Sequence, residues 1–290
     1  MIDVRTEPAA PAARTLCLCA DDFGLAPGIS AGIARLACAH RVTAVSCITT
    51  GPHWQEGAPM LREFPASISV GLHLNLTEGR PSSAQLARIW PRFPSLHELL
   101  LRAHLGLLPQ SAIQDEIRVQ LDAFKSGTGK LPQHVDGHQH IHQLPGLRDI
   151  VLDMTQRMPV PPAVRSTSPL PGPGSSFKRW VIVNSGGRAL ARELDRRGLA
   201  HNPALLGATD FHDEDYRAKM QGWLAALPRQ GGLLFCHPGQ TPDSDPIYPH
   251  ANASARELAY FESDLFQVDL DAANVALGLV WQKTHTGPPG

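Results

Sequence analysis

The chain carries almost no net charge. Its 26 Lys and Arg face 27 Asp and Glu, giving −1 at pH 7, and the two signs are interspersed. That leaves no basic footprint for nucleic acid or for an anionic membrane surface. No run approaches the roughly 18 apolar residues needed to span a bilayer. Residues 1–14 are polar and rich in Ala and Pro, without the basic start and apolar core of a signal peptide. They are expected to form a frayed tail on a cytoplasmic protein. Cysteine is scarce and odd in number: Cys17, Cys19, Cys38, Cys47 and Cys236. With three of them in apolar runs, they read as small buried hydrophobes of a reducing compartment. Cys17 and Cys19 are expected to divide between the two faces of a strand, which argues against a zinc knuckle. There is no internal repeat and no linker that divides the chain. With 290 residues, 42% of them hydrophobic, residues 15–290 are expected to form one α/β domain.

Histidine, by contrast, is abundant, with 14 in the chain. The densest stretch is Leu131-Pro-Gln-His-Val-Asp-Gly-His-Gln-His-Ile-His142, where His134, Asp136, His138, His140 and His142 alternate. An extended strand would put all five on one face, yet positions two apart are separated by roughly 6.6 Å, too far for all to serve one ion. Gly137 is expected to bend the chain and release His138 toward a shared centre. The plain alternative is a solvated, histidine-rich turn. Imidazole and carboxylate at this density next to a strand end favour a metal.

Other segments offer the remaining ligands. Thr15-Leu-Cys-Leu-Cys-Ala20 is wholly apolar, as in a strand buried on both faces, and it ends in Asp21-Asp22-Phe23-Gly24. Pro27 then opens a helix with Ile29, Ile33 and Leu36 on its buried stripe. One Asp could cap that helix, but two buried side by side repel unless a cation or a proton intervenes. Strand 67–76 places Ser69, Gly71, His73 and Asn75 on one face. Asn75 reads as a substrate contact, a supporting residue or a turn former. Strand 163–166 ends in Arg165, suited to orienting an acidic group or a substrate, or to a plain salt bridge. Strand 231–239 presents His237. Helices are expected over 54–64, 95–105, 111–124, 147–158, 216–227 and 254–265, and over most of 177–197. A final strand is expected at 275–281.

Polar residues thus recur at successive strand ends, where α/β folds place their chemistry. Asp22, His73 and His138 suit one divalent ion with an open position for water. Asp21 suits the base, His237 the acid, and Asp136 a carboxylate that orients a ligating or catalytic histidine.

The segments Ala20-Asp-Asp-Phe-Gly-Leu-Ala-Pro-Gly28, Gly71-Leu-His-Leu-Asn-Leu-Thr-Glu-Gly79, His134-Val-Asp-Gly-His-Gln-His-Ile-His142 and Cys236-His-Pro-Gly239 resemble the YdjC-like (ChbG-type) carbohydrate deacetylases, in their order and spacing. The resemblance implies an irregular seven-stranded (β/α) barrel, similar to polysaccharide-deacetylase-type barrels and often a homodimer. It implies metal-dependent removal of an N-acetyl group from an amino sugar, with release of acetate. It makes Asp22, His73 and His138 the ligands and Asp21 the base. It sets Arg165 in the substrate cleft; from their own positions in the chain, Asn75 and Asp136 are expected beside it as substrate-binding candidates. The ion is zinc or magnesium. His138 and His142 also have the His-x-x-x-His spacing of NodB-like deacetylases, which leaves His142 as the alternative ligand. Other readings are a deacetylase of a glycolipid intermediate, such as those of hopanoid synthesis, a phosphoesterase-like metallohydrolase, and a non-catalytic sugar- or metal-binding protein.

Overall fold

The computed structural model describes residues 12–209, 215–240 and 251–283. Most of the expected tail, the Thr241 to His250 loop and residues 284–290 lie outside them. Eight strands form one sheet: β1 (Arg14–Phe23), β2 (Ala44–Cys47), β3 (Ser69–Leu74), β4 (His134–Gly137), β5 (Ala163–Val164), β6 (Leu205–Leu206), β7 (Gly232–Cys236) and β8 (Val275–Leu277). Seven run in the order β5-β4-β3-β2-β1-β7-β6, and β8 pairs the first residues of β1. Every ladder between them is parallel. This curled path is the irregular seven-stranded barrel expected from the sequence.

β1 is an interior strand of the sheet, paired along both edges, and its residues from Leu16 onward are buried. Its even positions, Leu16, Leu18 and Ala20, join the large core that also contains Ile29, Ile33 and Leu36 of helix Pro27–Cys38. Each of those three helical side chains is fully buried, a contribution of roughly 1.5–3 kcal/mol apiece relative to exposure. The odd positions, Cys17 and Cys19, belong to a second cluster with Leu205, Leu233 and Phe235. The two cysteines therefore share a face, as the two-residue period of a strand requires, and the expected division between faces is wrong. Four of the five cysteines are buried thiols; Cys38 is exposed.

The barrel edges β5 and β6 are joined without a ladder. Val164 N–H donates to Ala200 O at 2.8 Å. Asn202 does the rest with its side chain: Oδ1 accepts from Ser166 N–H at 2.8 Å, and Nδ2 donates to Ser166 O at 2.9 Å and to Ala204 O at 2.8 Å. One buried amide stands in for the missing strand pairing and satisfies backbone groups that would otherwise be orphaned.

Some elements depart from expectation. The helix expected over 54–64 is one turn, Trp54–Gly57, continued as 3-10 over Ala58–Glu63, because Pro59 has no N–H for an α-helical bond. The 80–95 stretch contains helix Ala84–Ile89, capped by Ser83. Helix Gln110–Thr128 starts before Ser111, with Pro109 at the cap position. A further helix, Asp264–Ala272, follows Ala251–Glu262. The two-residue β6 carries too little pattern to be read in advance. Among the described residues, no helix is long and apolar enough to cross a membrane.

Candidate metal and catalytic site

The two acidic residues at the end of β1 reach one centre because the strand does not end regularly. In an extended chain Asp21 and Asp22 would face opposite ways. Asp22 has a φ of 72°, and the pairing of β1 with β2 shifts register between Ala20 and Phe23. Such a bulge re-aims side chains. Neither Asp caps the following helix, whose cap residue is Ala26 with no side-chain bond. That helix instead docks on the β7 end. The Gln240 carbonyl occupies the place a Cβ at Gly28 would take, and Gln240 N–H donates to Gly28 O at 3.2 Å. This contact ties the His237 loop to the double aspartate.

Asp22, His73 and His138 converge. Asp22 Oδ1 lies 2.9 Å from His138 Nδ1 and 3.5 Å from His73 Nε2, with all three residues buried. A tetrahedral ion bound at roughly 2.0–2.1 Å would hold its donors about 3.3 Å apart, and the two measured distances bracket that value. Burial alone would raise the Asp22 carboxyl, but His138 beside it wins and holds it well below the usual range. Burial would lower His138, but Asp22 and Glu78 pull it up to about 10. The pocket therefore favours a positive charge between those carboxylates, and a divalent cation meets that demand. His73 Nδ1 donates to Asp136 Oδ1 at 2.6 Å, leaving Nε2 toward Asp22. A carboxylate behind a ligating histidine is the arrangement that fixes tautomer and ring orientation.

Beneath them sits Arg165, fully buried. Its guanidinium forks onto Asp21, each carboxylate oxygen at 2.7 Å, and also contacts Asp136. Arg165 Nη2 further donates to Cys19 Sγ and to Ser46 Oγ, each at 3.2 Å. Arg165 is thus placed to orient two acidic groups, Asp21 and Asp136, with its guanidinium wholly buried. Asp136 is likewise fully buried, between His73, Arg165 and Ser46, so its contacts are all within the protein. Asn75 is a turn former: Oδ1 accepts from the N–H groups of Thr77 and Glu78, both at 3.0 Å, and Nδ2 donates to Glu78 O at 2.8 Å.

The histidine stretch does not stay extended. β4 stops at Gly137, and His138–Gln143 is a 3-10 turn with Gln139 (φ 55°) and His140 (φ 61°) in the left-handed region. Gly137 itself is extended, so the expected bend there falls two residues later. A Cβ at Gly137 would lie 3.0 Å from His142 N, so this glycine serves close packing. His134 is buried among Ser46 and Ser69, and burial pushes it down to about 4. His142 donates from Nε2 to Arg165 O at 2.9 Å and does not join the Asp22, His73 and His138 group, which includes no other histidine among the described residues.

His237 follows β7. Its backbone N–H donates to Glu257 Oε2 at 2.6 Å, and its ring stands edge-on to Phe235 at 5.6 Å. Burial lowers its imidazole below the usual range against the pull of Asp22 and Asp21. Glu257, which the sequence reading passed over, is pushed up to about 8 by burial, opposed by the His237 N–H. The unfolded carboxyl titrates near 4.5, so between these values the folded protein holds a proton that the unfolded chain lacks. Stability must then fall as pH rises through that window. Glu257→Gln removes the drop while keeping an acceptor for His237 N–H. Thermal melts at pH 5 and pH 8 should show the variant gaining on the parent at the higher pH. An unchanged gap would mean that Glu257 titrates normally. Glu78, beside His138, is another residue whose role the sequence does not announce. Its one signal was its place in the turn directly after Asn75.

The sequence profile described as YdjC-like protein matches residues 15–272. A carbohydrate deacetylase of Mus musculus is 34% identical over 249 residues, covering 77% of this chain and 77% of the mouse protein. A chitooligosaccharide deacetylase of Enterobacter sp. (strain 638) is 32% identical over 154 residues, covering 50% of this chain and 56% of that protein. Among solved structures, one described as a putative cellobiose-phosphate cleavage protein from Enterococcus faecalis V583 superposes with a TM-score of 0.68. It covers 92% of this chain and 97% of its own at 18% identity, a likeness of fold alone.

Proposed function

The chain belongs to the YdjC-like family, and on that premise we propose that it hydrolyses the N-acetyl group of an amino sugar, of the chito-oligosaccharide type, and releases acetate. The observation that carries this reading is the convergence of Asp22, His73 and His138 beside a separate carboxylate, Asp21, fixed by Arg165. A binding site needs the first group only; hydrolysis needs both.

We assign Asp22, His73 and His138 as the residues that hold one divalent ion. Two imidazoles with one carboxylate suit zinc, whereas magnesium prefers an all-oxygen shell. When bound, the ion supplies Lewis acidity to the amide carbonyl and makes water more acidic. Asp21 takes the proton of the attacking water as the new C–O bond forms. Arg165 occupies one side of each Asp21 oxygen, and a carboxylate has about four lone-pair sites, so room remains for that water. The C–N bond then breaks, and the sugar nitrogen needs a proton to leave as an amine. We assign that delivery to His237. Burial lowers the pKa of its imidazole, and the proton it hands to the nitrogen is the one that Asp21 took from the attacking water, so the step closes without another donor.

The test is acetate release from N,N'-diacetylchitobiose and N-acetylglucosamine by metal-stripped protein refilled with zinc, magnesium, cobalt or nickel. Release is expected with zinc and absent from stripped protein. No release from either sugar with any ion would reject the free-sugar substrate.

A further inference from the structure

Both histidines of the proposed ion site have a second ring nitrogen, and the two are served differently. His73 Nδ1 is bound to Asp136, deep in the barrel. His138 Nε2 has no hydrogen-bond partner, and the acceptor in reach is Glu78 Oε1 at 3.3 Å. Glu78 Oε2 is buried and also without a partner. Each histidine therefore lies between Asp22 on one side and a further carboxylate on the other, Asp136 for His73 and Glu78 for His138.

The position of Glu78 is built in. The Asn75 side chain closes the turn that presents it, through the bonds to Thr77 and Glu78 described above, and Nδ2 also donates to Thr50 Oγ1 at 2.8 Å. The Asn75 backbone is clamped by Gln120: Asn75 N–H donates to Oε1 at 3.1 Å, and Nε2 donates to Asn75 O at 2.7 Å. Gln120 Nε2 in turn donates to the fully buried Glu116 at 2.9 Å, whose carboxylate accepts the N–H groups of Ser82 and Ser83. A buried polar chain thus runs from Glu116 through Gln120 and Asn75 to Glu78. The side chains of Asn75, Gln120 and Glu116 are each satisfied along it, and satisfied networks rigidify what they hold.

We propose that Glu78 is a positioning residue for the metal centre: by accepting from His138 Nε2–H, it fixes the tautomer and ring orientation that presents His138 Nδ1 beside Asp22. This rests on the metal-centre reading above and adds to it a residue that touches neither ion nor substrate. It also gives Asn75 a purpose, which is to hold the turn that delivers Glu78.

The test uses zinc affinity, measured by chelator competition on metal-stripped parent, Glu78→Gln and Glu78→Ala, with the visible spectrum of each cobalt-loaded protein. Loss of such an outer carboxylate typically weakens metal binding by roughly 10- to 100-fold, and that loss is expected for Glu78→Ala, with an altered cobalt spectrum. Glu78→Gln keeps an acceptor oxygen and should fall between the other two; it carries the test alone if the Ala protein does not fold. Zinc affinity of Glu78→Ala within two-fold of the parent, or Glu78→Gln no tighter than Glu78→Ala, would overturn the assignment. A parent that binds no zinc or cobalt would overturn the metal centre itself, and this residue's role with it.

Discussion

Replacing Asp21 by Asn should lower turnover by roughly 10²- to 10⁴-fold, the usual worth of a positioned general base, while zinc still binds. Asn has nearly the shape of Asp and leaves Asp22, His73 and His138 untouched, but it cannot take a proton from water. The two readouts separate the readings cleanly. An enzyme loses turnover and keeps its ion; a binding protein has no turnover to lose and keeps its ligand affinity. Acetate release and metal stoichiometry, measured on the same preparation, decide it. A variant with full turnover would remove Asp21 as the base.

The second large effect concerns stability. Arg165 is the buried cation that Asp21 and Asp136 share, and burial, which would lower its pKa, is overcome by those two carboxylates. Arg165→Met fills much of the same space but leaves two buried carboxylates without a counter-charge. Breaking a buried pair by removing one partner costs roughly 3–5 kcal/mol, which is a large share of the stability of a typical domain. Denaturant unfolding of the zinc-free proteins should show the midpoint falling accordingly. Arg165→Lys should lie between, since an ammonium lacks the fork that engages both Asp21 oxygens. An unchanged midpoint in the Met variant would show that Asp21 and Asp136 take up protons at little cost.

The residues at the centre were legible for a simple reason. Asp21, Asp22, His73, Asp136 and His237 all stand at or just beyond the ends of short apolar strands, and a parallel barrel gathers strand ends on one rim. Pro27 with the stripe Ile29, Ile33 and Leu36 announced the first helix in the same local way. What escaped depends on contacts between parts of the chain far apart. Arg165 reads as suited to orienting an acidic group or a substrate, but nothing near it names the partner until Asp21, 144 residues away, is seen beside its guanidinium. Glu78 reads as a turn residue until His138 arrives beside it. Asn202 has no local pattern at all; its amide matters only because β5 and β6 fail to pair. The position of the bend after β4 was missed because Gly137 was the obvious candidate, whereas Gln139 and His140 adopt the left-handed conformation that glycine usually supplies.

The kink at Asp22 has a consequence for how this chain tolerates change in length. Two neighbours in a strand belong to opposite sides of a sheet, and here a single left-handed residue makes them walls of the same chamber. The address of each carboxylate is thus written as a count along β1 from its pairing with β7. One residue added or removed between Leu16 and Ala20 would leave the motif itself intact. It would exchange lumen and helix-facing sides at every position that follows, carrying Cys19 out, Ala20 in and the double aspartate away from Arg165. The motif Asp-Asp-Phe-Gly is a chemical signature only at this phase of the strand, and a copy of it one step out of phase would be an ordinary acidic turn.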